Sequence, residues 1–188
     1  TGLDQVQQSI LERIIHSSGD FSLQSCLRFS PSACDKAILA LQHGAKILTD
    51  TYMAKAAISP MAKRTINPDI QCVLSEAPTS IDSNADTRCA IGMRNIWLDY
   101  QKKDNFLHAP LVVIGSSPTA LISLLDLVES DHITPSLIIG MPVGFIGVSE
   151  SKNRLLNSKC PYIVLEGSKG GASLSGAAIN ALLRAAEK

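Results

Sequence analysis

The sequence lacks an excess of charge of either sign. Its 188 residues include 17 Lys and Arg against 17 Asp and Glu, so the formal net charge at pH 7 is zero. Because no basic field is available to hold a phosphate backbone, the composition disfavours nucleic acid as a partner. The 45% hydrophobic and 18% charged residues are typical of one soluble globular domain that is long enough to bury a sizeable core.

The sequence also lacks a long apolar run and a cysteine pair. Its longest weakly polar stretch, residues 135–148, is broken by Gly and Pro and is shorter than the about 18 apolar residues that a membrane span needs. The five cysteines are widely spaced without a C-x-x-C pair, which predicts reduced thiols and a cytoplasmic protein without membrane contact. No basic and apolar leader precedes the first helical pattern, and we expect further residues ahead of it.

Motifs of several enzyme classes are absent. The sequence has no G-x-x-x-x-G-K-[ST], no G-x-G-x-x-G opening a helix and no G-x-S-x-G, which disfavours a nucleotide site and a serine nucleophile. No local feature marks a cysteine nucleophile. The four histidines lack the spacing of a metal site, so we expect no metal; they are His16, His43, His108 and His132.

What is present is an alternation of short apolar runs and helical patterns. The runs are continuous, as in buried parallel strands, and lie at 46–49, 70–74, 111–115, 137–140 and 162–165. A first helix is predicted to end at His16 before Gly19, and a second to begin at Ser30-Pro31 and end at Gly44. Further helices are predicted at 52–57, 85–101, 119–129, 148–156 and 174–186. The pattern predicts a single α/β domain with three α/β/α layers and a five-stranded, mainly parallel sheet.

Glycine and small hydroxyl residues gather where these strands end. They occupy 50–51, 115–119, 140–144 and 167–173, and open α/β sheets bind ligands at this edge. Since small residues let a ligand approach the backbone N–H groups of helix starts, we expect an anionic or carboxylate-rich ligand. The alternative for 167–171 is that its glycines only make a tight turn.

Two side chains stand out beyond these loops. His16 closes an apolar helix beside small hydroxyl residues, which leaves room for a ligand, although a histidine that only caps the helix is the alternative. Arg88 lies in the first turn of its predicted helix, where a cation is unfavourable unless an anion is bound. A partner carboxylate such as Asp86 is the alternative for Arg88.

Taken together, these stretches resemble the precorrin-8X methylmutase family of corrin biosynthesis, also called precorrin isomerases or cobalt-precorrin-8 methylmutases. The resemblance runs from the first helix to the last in family order. Family members begin with a Ser-Phe-containing segment that we expect to precede this chain. The segments of this chain that carry the resemblance are Arg13-Ile14-Ile15-His16 with Gly19, residues 44–50 with Met53, Thr87-Arg88, residues 114–121, Gly140-Met141-Pro142-Val143-Gly144-Phe145, and Gly167-Ser168-Lys169-Gly170-Gly171 leading to residues 180–182.

The resemblance implies a flavodoxin-like fold and an isomerase without a cofactor. The enzyme would move a methyl group from C-11 to C-12 of precorrin-8X or cobalt-precorrin-8, with His16 as the catalytic acid on a ring nitrogen. The alternative is a corrinoid-binding protein without turnover. The expected substrate-binding residues are Asp50, Ser59, Arg88, Ser116, Ser117, Thr119, Met141, Pro142, Gly144, Lys169, Gly170 and Gly171.

The resemblance also implies a homodimer with each site near the subunit boundary. Apolar residues of the loop after the fourth predicted strand are candidates for the contact surface, because a strand-to-helix turn buries them poorly. The alternative is that Phe145 and Ile146 pack under their own helix. The candidates are Met141, Val143, Phe145 and Ile146.

Overall fold

The fold is built on one six-stranded sheet. The computed structural model describes residues 2–80, 86–102, 108–130 and 133–187. The sheet has the order β1-β6-β5-β4-β2-β3, and every neighbouring pair is parallel except β1 with β6. The strands are β1 Leu27–Phe29, β2 Ile47–Thr49, β3 Ile70–Cys72, β4 Leu111–Ile114, β5 Leu137–Gly140 and β6 Tyr162–Leu165.

The prediction of five strands is wrong, because β1 adds an antiparallel edge. Ser30 continues this pairing beyond the strand: its N–H donates to the carbonyl of Tyr162, and its Oγ accepts from the N–H of Tyr162. Ser30 is therefore not the predicted cap of the second helix. That helix begins at Ala33 instead, after Ser32 in the left-handed conformation at φ 56°.

Helices cover both faces of the sheet, which gives the three predicted layers. One face carries α1 Gln5–Ser18, α2 Ala33–Gln42, α3 Tyr52–Arg64 and α7 Ala172–Ala186. The other carries α4 Arg88–Lys102, α5 Pro118–Glu129 and α6 Val148–Leu156. Two short 3₁₀ helices occupy Phe21–Ser25 and Val73–Glu76. Across the described ranges, no helix combines the length and the apolar character needed to cross a membrane.

The core lies on both sides of the central strands. In β4, Leu111 and Val113 pack towards α1 and α7, whereas Val112 and Ile114 pack towards α4 and α5. All four side chains are fully buried. Burial on both faces explains why these strands are continuous apolar runs rather than alternating ones.

Several element boundaries differ from the prediction. The third strand ends at Cys72 because a 3₁₀ helix starts at Val73. The short helix predicted at 52–57 continues to Arg64 and contains Pro60. The Nδ2 group of Asn180 on α7 donates to the carbonyl of Ala57 one turn before this proline. The predicted start of α4, Ala85, lies outside the described residues, and the helix begins at Arg88.

Candidate active site

The loops at the carboxyl edge of the sheet are bonded to each other. The N–H of Gly144, in the loop after β5, donates to the carbonyl of Ser168, in the loop after β6, at 3.0 Å. The N–H of Gly171 donates to the carbonyl of Met141 at 2.8 Å. A Cβ at Gly170 would collide with the carbonyl oxygen of Met141, so this close approach requires glycine. The two loops therefore form one rigid unit.

A buried carboxylate holds the loop after β4. Oδ2 of Asp50 accepts from the backbone N–H groups of Gly115, Ser116 and Ser117 at 3.1, 2.6 and 2.8 Å. Asp50 is fully buried, and this burial raises the pKa of its carboxyl, while the three N–H bonds counteract the rise. Thr51 donates its hydroxyl to Oδ1 at 3.3 Å. Asp50 thus orients the loop from inside and presents no surface to a ligand.

A buried ammonium holds the loop after β6. Nζ of Lys152 on α6 donates to the carbonyls of Gly167 and Lys169, both at 2.7 Å. The side chain is fully buried, and desolvation lowers the pKa of Lys152 to about 8. Side chains of opposite charge therefore hold the two loops. Asp50 accepts hydrogen bonds from backbone N–H groups, and Lys152 donates hydrogen bonds to backbone carbonyls.

Lys169 connects the loop after β6 to the segment that follows α1. Its Nζ donates to Oδ2 of Asp20 at 2.6 Å and to Oγ of Ser22 at 2.9 Å. The hydrogen bond from Lys169 is the largest of the effects that lower the pKa of Asp20 to about 2. Because Asp20 follows His16 by four residues, this ion pair fixes the chain next to the histidine.

His16 opens onto a cavity of about 750 Å³ between α1, α3 and α7. The helix ends there because Gly19 adopts the left-handed conformation at φ 67° and donates its N–H to the carbonyl of Ile15. The imidazole of His16 is exposed. The cavity is lined by Ser9, Glu12, Arg13, His16, Ser17, Ala57, Ser173, Gly176, Ala177 and Asn180.

The amino end of α7 reaches the same cavity. Ser173 lies in the first turn of α7, and the Gly171 that precedes the helix gives no side-chain cap to its first N–H groups. A Cβ at Gly115 would lie 2.8 Å from Cα of Ala172, so the loop after β4 packs directly on this helix start. Uncapped N–H groups at a helix start favour a negatively charged group.

The remaining sequence-predicted residues lie at three other places. Arg88 is exposed and donates from Nε to the carbonyl of Pro78 at 2.9 Å. The alternative prediction that Arg88 pairs with Asp86 is wrong, because the carboxylate of Asp86 pairs with Arg94. Ser59 lines a separate cavity beside Asp69 and Ile70, apart from His16. Ser117 and Thr119 share a hydrogen bond of 3.0 Å at the start of α5.

His43 and His108 do not line the His16 cavity. The rings of His43 and His108 contact each other with centroids 5.1 Å apart, and Nδ1 of His43 bonds the carbonyl of Leu39 at 2.7 Å. His132 lies outside the described residues. In the described parts of the chain, no three His, Cys, Asp or Glu side chains are grouped so that they could hold a metal ion.

Comparison with known proteins decides the family. The sequence profile of precorrin-8X methylmutase matches residues 1–185. The chain belongs to the precorrin-8X methylmutase family. It is 34% identical over 195 residues to a cobalt-precorrin-8 methylmutase of Synechocystis sp., covering 96% of this chain and 86% of the relative. It is 35% identical over 189 residues to a precorrin-8X methylmutase of Pseudomonas aeruginosa, covering 96% and 85%.

A solved structure supports the same conclusion. The precorrin-8X methylmutase of Thermus thermophilus superposes with a TM-score of 0.82 at 32% identity, covering 98% of this chain and 88% of that one. The resemblance drawn from the sequence motifs to the methylmutase family is therefore confirmed. The described part of the chain, with its edge strand β1, therefore has the fold of this family.

Four residues of this candidate site were not among the site residues expected from the sequence. Arg13 and Asn180 line the His16 cavity, Lys152 holds the loop after β6, and Asp20 pairs with Lys169. A signal existed for Lys152, since it lies at helical spacing from Val148 and Leu155 on the apolar face of α6. The other three roles depend on contacts between distant segments of the chain.

Proposed function

We propose that this protein moves a methyl group from C-11 to C-12 of precorrin-8X or cobalt-precorrin-8. In this isomerisation the bond from the methyl carbon to C-11 breaks, the bond to C-12 forms, and no atom or electron is gained or lost. The chemistry therefore calls for no redox carrier. The observation that carries the proposal is His16 at the mouth of an open cavity of about 750 Å³ in a chain of the methylmutase family.

His16 is the general acid of this proposal. Imidazole suits the role because it exchanges protons near neutral pH. The exposed ring lies beside the uncapped amino end of α7, so a proton donor and a site for a negative group face one cavity. The ring of the substrate would lie against His16, with its acidic arms spread over the loops at the carboxyl edge.

The substrate-binding residues divide into two groups. Those with accessible polar groups contact the acidic arms in our proposal: Arg88, Ser116, Ser117, Thr119, Lys169 and Gly170. Gly144 and Gly171 shape the loops instead, because their N–H groups already donate to Ser168 and Met141. For Lys169 a substrate carboxylate replaces Asp20 as the partner of its Nζ. Asp50, Met141 and Pro142 are buried and act by shaping the loops. Ser59 lines a separate cavity, so in our proposal it contacts the substrate only if one acidic arm extends beyond the His16 cavity.

The exposed loop after β5 supports the homodimer. Phe145 and Ile146 are 93% and 91% exposed and Val143 is 49% exposed, so the alternative that Phe145 and Ile146 pack under their own helix is wrong. Tyr52 and Met53 at the start of α3 add exposed apolar surface at the same edge of the sheet. We propose that a second copy of this chain covers this surface, close to the site. Met141 takes no part, because it is fully buried.

We also propose a flavodoxin-like fold class and a cytoplasmic location for this protein. The parallel strands follow the order β3-β2-β4-β5-β6, and this order supports the flavodoxin-like classification. The five cysteines are free, and this state supports a reducing compartment such as the cytoplasm.

Turnover of precorrin-8X tests the proposed reaction against binding alone. The protein is incubated with the substrate, and the absorption spectrum of the ring is recorded before and after the protein is denatured. We expect the product spectrum to persist after denaturation, because the rearranged chromophore is covalently different. Recovery of the substrate spectrum would instead identify a corrinoid-binding protein without turnover.

A further inference from the structure

Two arginines, one on α1 and one on α7, lack a partner among the described residues. Within the described residues, Arg13 and Arg184 form no ion pair or hydrogen bond. The neighbouring carboxylate of Glu12 accepts instead from Nε2 of Gln8 at 2.9 Å. Every other arginine of the described chain has a carboxylate or a backbone carbonyl as its partner.

The two guanidinium groups line one groove. α1 and α7 pack against each other, and Arg13, Arg184, Ser9 and Ala181 line a cavity of about 400 Å³ between them. Burial, and then the charge of Arg184, lower the pKa of Arg13. Arg13 is half-buried and Arg184 is exposed, so water screens part of their repulsion, and an anion bound between the two groups would offset the rest.

This groove is continuous with the cavity of His16. Ser9 and Arg13 line both. Arg13 precedes His16 by three residues, so the two side chains lie on one face of α1, about 4.5 Å apart along the helix axis. A carboxylate arm of a ring held at His16 can therefore reach the guanidinium of Arg13.

We propose that Arg13 and Arg184 form a carboxylate-binding subsite in the α1–α7 groove that holds one acidic arm of the substrate. This proposal rests on the proposed function. The planar guanidinium groups offer paired N–H donors that match a carboxylate. Arg13 fixes the arm next to the ring, and Arg184 closes the outer end of the groove.

Steady-state kinetics of Arg13→Gln, Arg184→Gln and the double variant test the subsite. We expect KM for precorrin-8X to rise about tenfold for each single variant, with kcat within about twofold of the parent, because an arm that takes no part in the bond changes is bound equally in the ground and transition states. Arg13→Lys keeps the charge but loses the paired donors and should recover only part of the affinity. Arg64→Gln, which removes an exposed arginine on α3, is the matched control and should leave KM unchanged.

Product affinity, measured from the ring absorption at increasing salt, gives a second readout. We expect the parent to lose more affinity with salt than the double variant, since both charged contacts to this arm are missing there. An unchanged KM and an unchanged salt dependence in the double variant would overturn the subsite, as would a lower kcat at constant KM. A parent protein that binds the ring without turnover would contradict the proposed function only, because product affinity still tests the subsite.

Discussion

The backbone N–H of Ser116 donates to Oδ2 of Asp50 at 2.6 Å, and this bond ties the loop after β4 to the end of β2. Gly115 and Ser117 donate to the same oxygen. A side chain without exposed surface thus shapes a loop that we place at the substrate. The arrangement separates residues that build the site from residues that contact the ligand.

Replacement of Asp50 should expose this role. Asp50→Ala leaves three N–H groups without their acceptor, so we expect the free energy of unfolding to fall by at least about 2 kcal/mol. Asp50→Asn keeps an acceptor oxygen and should retain most of the stability. Urea denaturation of both variants measures the difference. Equal stability of the alanine variant and the parent would show that Asp50 does not hold the loop.

Lys152 should influence how stability depends on pH. Its pKa is about 8 in the folded protein against an ordinary 10.5, so between these values the unfolded chain binds more protons at this residue. The contribution of Lys152 to stability therefore rises as pH increases through that window. We expect the free energy of unfolding of the parent, minus that of Lys152→Met, to increase from pH 7 to pH 10.

Lys159→Met is the matched control, because Lys159 is exposed on the segment that follows α6. Its stability difference from the parent should stay constant over the same pH range. A constant difference for Lys152→Met as well would mean that Lys152 titrates normally and that its amine is not held in the interior.

Assembly should depend on Phe145. Its side chain is 93% exposed, and a charge placed there would disrupt an apolar contact between two copies. We expect sedimentation to give a dimer of the 20.0 kDa chain for the parent and a monomer with reduced activity for Phe145→Asp. Leu39→Asp changes an exposed apolar residue on α2 and should remain dimeric. An active monomeric parent would refute the shared site.

The sequence predicted those parts of the fold that local patterns specify. β4 and β5 were found because burial on both faces makes their residues continuously apolar. β1 was missed because its three residues alternate between buried Leu27 and exposed Arg28, and its edge position is defined by pairing with the distant strand β6. A local pattern cannot show such a partner.

The candidate site was predictable only where its residues are adjacent in the sequence. His16 was identified because a helix end and its glycine are adjacent in the sequence. The subsite of Arg13 and Arg184 could not be found in this way, since it exists only through the packing of α1 on α7. Lys152 was not singled out, although Val148 and Leu155 lie at helical spacing from it on the buried face of α6.

His16 should be essential for the reaction but not for binding. His16→Ala removes the proton donor, so we expect turnover to fall by about 10²–10⁴-fold while product affinity stays within about tenfold. His43→Ala is the matched control, because His43 also ends a helix but does not line the cavity. Its turnover should equal that of the parent.

The position of the migrating carbon tests the central claim most directly. Precorrin-8X labelled with ¹³C in the methyl group at C-11 is incubated with the parent protein, His16→Ala and His43→Ala, and the extracted ring is examined by NMR. The incubation is stopped when the parent has converted its substrate. We predict that the labelled methyl is then found on C-12 with the parent and with His43→Ala, and that nearly all of it is still on C-11 with His16→Ala. A label that stays on C-11 with the parent would contradict the proposed reaction, and complete transfer with His16→Ala would contradict the role of His16.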